Sequence, residues 1–484
     1  MRDRHLIALA ALIALGAALR FATLDLQSYW YDEAVTVGLV RMDLHGMLSE
    51  IARNESTPPL YYLVAWLWAK VFGTSEVGLR SLSALIGTAS IPVFYAAAKE
   101  LVSRQVGLAV AALAAVNPLL VWYSQEARAY ALFAFLGGLS LLYFARLARD
   151  PENRHALICW VAFSALALTA HYFAAFVIAP MAVWLVWRRR SRAVVAGVSA
   201  VSATGLALLP LALHQQSLDL ASFIRAAPIG YRIARAPKQL LVGFDAPLEV
   251  TLSIVAAVIA LAGLAFAAVR LRDRLGLRLA GGLALAGLLI PAALALAGLD
   301  YFDTRNLLMV WLPLMTAAAA GLVLGLPRFG TAAVAVLAAI GVAAVIGVDV
   351  TPNWQRDDWR GAARAVGQAS VPRAIVITPA SGALPFQLYR RDARPMAPGG
   401  ESVQEVALVS RPRRVSGRVH PPAPPRPRNP MVPGYNRVRR DYADTFSFVL
   451  FRAGEPLGIT PERAANARLL VKSPASVLVQ PGAR

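Results

Sequence analysis

Apolar runs alternate with short basic stretches through the first 350 residues, the pattern of a helical membrane protein rather than of one packed soluble core. A helix rising 1.5 Å per residue needs about 20 apolar residues to span roughly 30 Å of hydrocarbon. Runs near that length fall at about 6–24, 82–98, 106–122, 129–145, 156–170, 173–187, 193–213, 250–269, 279–299, 307–326 and 331–350. About eleven transmembrane helices are therefore expected. The run 60–72 is too short to cross and reads as interfacial or re-entrant. The run 156–187 is too long for one crossing. A turn at His171-Tyr172 makes it a hairpin and keeps both flanking arginine clusters on one side.

Polar segments punctuate this pattern. The loop 25–81 carries acids, aromatics and a Pro-Pro pair. Within it Leu44, Met47, Leu48 and Ile51 recur at helical spacing with Glu50, Arg53 and Asn54 opposite, which predicts a helix lying on the bilayer surface. A second loop, 214–249, sets Arg225, Arg232, Arg235 and Lys238 among Phe223, Tyr231 and Phe244. Beyond residue 350 the apolar runs shorten and proline becomes frequent. Residues 354–365 read as a short helix, and 374–378 and 445–451 as strands. The expected organisation is a membrane domain over 1–350 and a small, loosely built α/β region over 351–484. Its Pro/Arg-rich stretch 411–433 is too poor in apolar residues to pack.

Composition agrees: of 484 residues, 57% are hydrophobic and 16% charged, too apolar for a soluble chain. The net charge of +20 comes largely from arginines in short loops and in the last third, not from a basic domain interleaved with aromatics. Nucleic acid is thus a poor partner, and anionic headgroups and phosphates are better ones. Cys159 is the only cysteine, so an intramolecular disulfide and thiolate zinc sites are excluded. The first apolar run resembles a signal peptide, but it is long enough to span and lacks a small-residue cleavage region, so an uncleaved anchor is expected. Arg2, Arg4, Lys99, Arg104, Arg146, Arg149, Arg154, Arg188, Arg189, Arg190, Arg270, Arg272, Arg274 and Arg278 fall on one side of the predicted membrane, which marks it as cytoplasmic. The loop at Asp32 and the tail then face outward.

The acids of the first loop are the candidate chemistry. Asp32 and Glu33 follow the first span by a few residues, which places two carboxylates at the membrane surface. Both are also helix-start residues, so capping is the competing role. Trp30-Tyr31-Asp32-Glu33-Ala34, then Ser56-Thr57-Pro58-Pro59-Leu60-Tyr61-Tyr62, Phe72-Gly73, Arg80-Ser81 and Tyr123-Ser124-Gln125-Glu126-Ala127-Arg128-Ala129-Tyr130 resemble, in order and spacing, the bacterial family 39 glycosyltransferases. These are polytopic enzymes of the GT-C superfamily, akin to protein O-mannosyltransferases and lipid A aminoarabinose transferases. The likeness covers about 6–130 and returns at Arg305 and at Asp358-Trp359-Arg360.

The resemblance implies a GT-C membrane fold in a bacterial inner membrane. It also implies transfer of a sugar, hexose or pentose, from a polyprenyl-phosphate carrier to an extracytoplasmic hydroxyl on a lipid, glycan or protein. The position matching the family's catalytic base is Asp32, with Glu33 supporting it. A single displacement with one catalytic carboxylate inverts the anomeric centre. Arg128 and Arg305 are candidate ligands of the donor phosphate, since guanidinium forks match its oxygens; Asn306 stands where the family usually has an aromatic. Glu126, His171, Tyr61, Tyr62 and the cations Arg225, Arg232, Arg235 and Lys238 complete the candidate donor site. Glu33, Glu126 and His171 offer oxygen and nitrogen ligands for a divalent cation, but their spacing is no metal motif, and no cofactor is certain. A transporter or flippase for a lipid-linked saccharide is the alternative. It would place ionisable groups near the bilayer midplane, whereas these span interiors are nearly uncharged.

Overall fold

The computed structural model describes residues 2–220, 222–411, 432–465 and 474–482. The helices run α1 (Arg2–Phe21), α2 (Tyr31–Val40), α3 (Leu44–Asn54), α4 (Leu60–Phe72), α5 (Glu76–Leu101), α6 (Arg104–Val116), α7 (Pro118–Ser124), α8 (Tyr130–Arg149), α9 (Arg154–Ala170), α10 (Ala175–Arg188), α11 (Arg192–Ser217), α12 (Ser222–Arg225), α13 (Ile229–Val242), α14 (Glu249–Arg270), α15 (Leu275–Leu296), α16 (Leu308–Gly325), α17 (Gly330–Val350), α18 (Trp359–Val366), α19 (Ala383–Tyr389) and α20 (Pro461–Ala465). The chain divides into two compact units. One comprises residues 1–24 and 39–347, the other 25–38 and 348–484.

In the first unit, α1, α5, α8, α11, α14, α15, α16 with its preceding turn, and α17 are long and apolar enough to cross a membrane: eight helices among the described residues. The bent pair α6 and α7 would make a ninth, and α9, α10 and α4 are shorter. Each of the eleven expected spans thus has a helix, and the thirteen-residue α4 corresponds to the run judged too short. Helix starts are set locally. Ser75, Ser103, Asn153 and Ser191 each accept a hydrogen bond from a first-turn N–H, as does Asp43 at the start of the surface helix α3. Gly197 of α11 packs against Leu157 and Val161 of α9, and Gly205 against Leu168, so these two helices run in the same direction. The intervening α10 must return antiparallel to both, which makes the hairpin at His171. Ser140 Oγ on α8 bonds Ser164 Oγ on α9 at 2.7 Å and lies 3.8 Å from Met181 Sδ on α10.

Close glycine contacts and a buried arginine both help to hold the bundle. Gly263 and Gly321 let α14 and α16 touch at the backbone, since a Cβ on Gly321 would stand 1.7 Å from the Gly263 carbonyl oxygen. The buried arginine acts at the 58° bend between α6 and α7. Asn117 there accepts from Leu120 N at 3.0 Å. Pro118 has no N–H to offer the carbonyl of Ala114, four residues earlier. Fully buried Arg20 supplies donors instead: Nη2 to Ala114 O (2.9 Å), Nη1 to Ala115 O (2.8 Å) and Gly16 O (2.9 Å), and Nε to Ser124 Oγ (3.1 Å).

The second unit is built on a six-stranded sheet of β1 (Arg373–Thr378), β2 (Arg394–Pro395), β3 (Glu401–Ser410), β4 (Asn436–Tyr442), β5 (Ser447–Ile459) and β6 (Ser476–Gln480), in the order β2-β6-β1-β3-β5-β4. Among the described residues only the β1–β3 pairing is parallel. Alternation along the strands gives two apolar faces. Ile375, Ile377, Ala407, Val409, Phe448 and Leu450 pack with Trp359 and Phe386 of α18 and α19. Ala374, Val376, Val406, Leu408, Val449 and Phe451 pack with Met396, Tyr435 and Ala464. The unit is therefore more closely built than its proline content suggests, because short apolar strands such as β3 and β6 are covered on both sides. Of the stretch 411–433 expected not to pack, residues 412–431 lie outside the described residues.

Candidate active site

Asp32 and Glu33 are the second and third residues of α2. Trp30 occupies the position before the helix, and its carbonyl accepts the Ala34 N–H at 2.9 Å. Asp32 is thus inside the first turn rather than at the cap, and its backbone carbonyl accepts from Thr36 Oγ1 at 3.2 Å. Asp32 is half-buried, while Glu33 is fully buried. Asp32 is the more exposed residue of the two. Both belong to the unit that contains the C-terminal segment.

The remaining candidates belong to the membrane unit. Arg128 lies in the turn between α7 and α8, and its guanidinium grips Glu55 with both forks, Nη1–Oε1 at 2.7 Å and Nη2–Oε2 at 3.1 Å. Both side chains are buried, at 7% and 4% exposure. The guanidinium lies over the Tyr62 ring, 5.6 Å from its centre, and Tyr62 Oη shares a hydrogen bond with Thr57 Oγ1 at 3.1 Å. Tyr61 Oη reaches Ser83 Oγ of α5 at 3.3 Å. Both tyrosines are core residues, and neither lines an open face. Gln215 of α11 donates to Ile51 O (3.0 Å) and Thr57 O (3.3 Å) and accepts from Tyr172 Oη (2.8 Å), which anchors the Glu55 loop. Glu55 and Gln215 escaped the sequence reading. Glu55 directly precedes the Ser56-Thr57-Pro58-Pro59 motif, and an acid there was the available signal.

His171, at the α9–α10 break, stacks on Phe133 with ring centres 4.7 Å apart, and its Nδ1 accepts from Phe173 N at 3.3 Å. Burial, reinforced by the positive charge of Arg305 and Arg128, holds its pKa down to about 3. With Nδ1 accepting from Phe173 N, the neutral imidazole carries its proton on Nε2. Glu126 is buried in the same turn as Arg128. With Tyr130, Asp303 and Arg305 it lies within electrostatic reach of the Tyr123 hydroxyl. Arg128, Glu126, His171 and Arg305 are therefore one neighbourhood.

Arg305 leads into α16 and sits over the Phe223 ring at 4.6 Å, with Nε 3.8 Å from Asp303. Asp303 also pairs with Arg235 Nη2 at 3.3 Å. The other cations of the 214–249 loop have acids of their own. Arg225 pairs with Asp219 and Lys238 with Glu249. Arg232, 2% exposed, binds Asp300 with both Nη atoms and donates to Phe302 O (2.6 Å) and Ala227 O (2.8 Å). Arg232 is thereby a structural tie between α13 and the turn before α16, and the positive loop is largely balanced by carboxylates, Asp219 and Glu249 within the loop and Asp300 and Asp303 distant in sequence. Asp303 is thus shared by Arg235 and Arg305. Among the described residues no group of three or more His, Cys, Asp and Glu is arranged to hold a metal ion.

Comparison with known proteins follows this geometry. Residues 56–214 match the family model described as dolichyl-phosphate-mannose-protein mannosyltransferase. No curated protein sequence matches the chain. Among solved structures, ArnT from Cupriavidus metallidurans in the apo state aligns with a TM-score of 0.52 at 14% identity, covering 91% of this chain and 97% of that one. The same protein bound to undecaprenyl phosphate gives 0.51 at 14% identity, with the same coverage. The S. cerevisiae protein O-mannosyltransferase Pmt1-Pmt2 complex bound to the sugar donor gives 0.34 at 18% identity; the match covers 45% of this chain and spans only 34% of that one. Helix count, the small C-terminal sheet and the ArnT alignment agree on one fold, and the mannosyltransferase model falls on the segment that carries Glu55 partners, Glu126, Arg128 and His171. The chain thus has at least eight helices long and apolar enough to cross a membrane, shares the fold of ArnT, and over residues 56–214 matches the dolichyl-phosphate-mannose-protein mannosyltransferase family model.

Proposed function

We propose that this protein transfers a single sugar, hexose or pentose, from a polyprenyl-phosphate carrier to an extracytoplasmic hydroxyl, with inversion and with Asp32 as base. As the acceptor oxygen attacks the anomeric carbon, its proton passes to the Asp32 carboxylate and the bond from that carbon to the phosphate oxygen breaks. The phosphate leaves as an anion, so no general acid is needed. Glu33, fully buried beside Asp32 in sequence, orients rather than accepts. Arg128 and Arg305 are the proposed cations for the leaving phosphate, since guanidinium forks match its oxygens.

The observation that carries the reading is the pair of adjacent acidic residues in the first turn of α2, Asp32 half-buried and Glu33 fully buried, on a fold shared with a protein bound to undecaprenyl phosphate. Asp32→Asn is the test, because an amide keeps the size and hydrogen-bonding reach of the carboxylate but takes no proton. Turnover should fall about a hundredfold or more, scored as polyprenyl phosphate released from radiolabelled donors, with donor binding and folding retained. Near-normal turnover in Asp32→Asn would overturn the mechanism, and a deeper loss in Glu33→Gln would exchange the two roles.

The same reading places the N-terminus in the bacterial cytoplasm and the C-terminus outside. Its support is the one-sided arginine distribution. A phosphatase active only outside the cytoplasm, fused after Arg484, should be active. A silent, well-expressed fusion would reverse the topology.

A further inference from the structure

The five residues that lead into the Asp32 helix carry a dense set of hydrogen bonds to the C-terminal segment. Arg360 Nη2 donates to the carbonyls of Asp25 (2.6 Å) and Leu26 (3.0 Å). Gln27 Oε1 accepts from Arg356 N (2.9 Å) and Arg356 Nη1 (3.3 Å). Ser28 Oγ donates to Asp357 O (2.6 Å) and accepts from Trp359 N (3.0 Å). Tyr29 N donates to Tyr389 Oη at 2.7 Å. The first N–H groups of a helix have no intrahelical acceptor. At α18 one of them is satisfied by Ser28, 331 positions earlier in the chain. Gln27 and Ser28 are buried, at 4% and 2% exposure, so water does not compete for these bonds.

The clamp is itself rigid. Asp358 Oδ1 caps α18 through Gly361 N at 2.8 Å, and its Oδ2 accepts from Thr445 Oγ1 at 3.2 Å. Asp357 Oδ1 pairs with Arg411 Nη1 at 3.1 Å. The Trp359 ring fills the space beside Gly382, where a Cβ would stand 2.0 Å from it. A continuous path of fixed groups therefore runs from the sheet through α18 and α19 to Tyr29, and only Trp30 and Tyr31 separate Tyr29 from Asp32.

We propose that the segment Arg356 to Arg360, with Tyr389, is a positioning device for the base: the C-terminal unit sets the start of α2 and thereby the placement of the Asp32 carboxylate. This rests on the assignment of Asp32 above. Ser28 and Arg360 are positioning residues; they act through Asp32 and touch no reacting atom. A misplacement of about 1 Å at a reacting group lowers turnover on the order of a hundredfold.

The test uses the full-length protein in lipid nanodiscs, with Ser28→Ala, Arg360→Ala and the milder Tyr389→Phe, each alone and combined with Asp32→Asn. In the otherwise unchanged protein, kcat should fall roughly ten- to a hundredfold in the alanine variants, with donor Kd and the unfolding temperature close to the parent. Arg360→Lys, which keeps a cationic N–H donor group but not the planar fork, should recover part of the loss. In the Asp32→Asn background the same substitutions should change the residual rate by less than about twofold, since the group they position is already disabled. Losses confined to KM or to stability, or losses that multiply in full with Asp32→Asn, would overturn the inference. Should Ser28→Ala or Arg360→Ala fail to fold, Tyr389→Phe and Arg360→Lys decide it, and normal kcat in both overturns it. An inactive Asp32→Asn beside fully active Ser28→Ala and Arg360→Ala sinks this inference alone, whereas an active Asp32→Asn sinks the base assignment and this inference with it.

Discussion

Replacing Arg128 separates folding from donor binding, because its guanidinium serves Glu55 before it can serve a phosphate. The pair is bidentate and nearly excluded from solvent. Arg128→Met alone leaves the Glu55 carboxylate buried and uncompensated, which costs about 3–5 kcal/mol. Loss of the guanidinium above Tyr62 adds roughly 0.5–1 kcal/mol. Exchanging both partners for methionine removes the stranded charge, and such exchanges of a buried ion pair are often neutral or stabilising by about 1–4 kcal/mol. The double variant should therefore recover most of the stability lost by the single one, a coupling of at least about 2 kcal/mol in a denaturant titration in mixed micelles. Binding of the donor phosphate, followed by calorimetry with a polyprenyl phosphate, is then measured on the stable double variant. A tenfold or greater loss there keeps Arg128 in the phosphate site, and unchanged binding removes it. Arg305→Ala is the comparison: it should lose about 2 kcal/mol of donor binding with little loss of stability. Wild-type stability in Arg128→Met alone would refute the pairing argument outright.

Two further outcomes follow from packing and protonation. Gly321→Ala needs its new carbon to move about 1.3 Å, from 1.7 Å out to the roughly 3.0 Å that a contact with the Gly263 oxygen tolerates. It should lower stability by about 1–3 kcal/mol, whereas Gly281→Ala, with nothing within 4 Å of its Cβ, should be silent; equal thermal shifts in the two would refute the close approach. His171 should make stability fall as pH drops. Its folded pKa of about 3 lies below the ordinary 6.5, so between those values the unfolded chain takes up a proton that the folded one does not. The loss should reach about 1.4 kcal/mol at pH 5.5, and it should be absent in His171→Gln. An equal acid sensitivity in that variant would place the titrating group elsewhere.

The membrane architecture was readable because bilayer thickness fixes the length of an apolar run, and because arginines flanking 156–187 could lie on one side only if that run turned back. The bend at Pro118 was less visible, since residues 106–122 are apolar throughout. Charge pairing was not readable. Glu55 and Arg128 are 73 positions apart, and Asp300 and Arg232 are 68 apart, so the cations of the second loop looked uncompensated when taken alone. The clamp on residues 25–29 left a still fainter trace. Arg360 binds backbone carbonyls, which every residue has, and only the Asp358-Trp359-Arg360 likeness hinted that the segment mattered. Asp32 and Glu33 were visible as acids in an apolar chain, but which of them is interior depends on the face of α2 that packs.

Arg20 also constrains how the chain is made. Its acceptors at Ala114 and Ala115 emerge 94 and 95 residues after it. At about 5–20 residues per second of synthesis, the first helix waits roughly 5–20 s before those carbonyls exist. During that interval the guanidinium must stay in the headgroup layer, which its place in the last turn of α1 permits. The carbonyl that Pro118 leaves without a donor is costly in hydrocarbon until Arg20 arrives. Each element is thus poorly tolerated by the lipid alone and well tolerated once the two are paired.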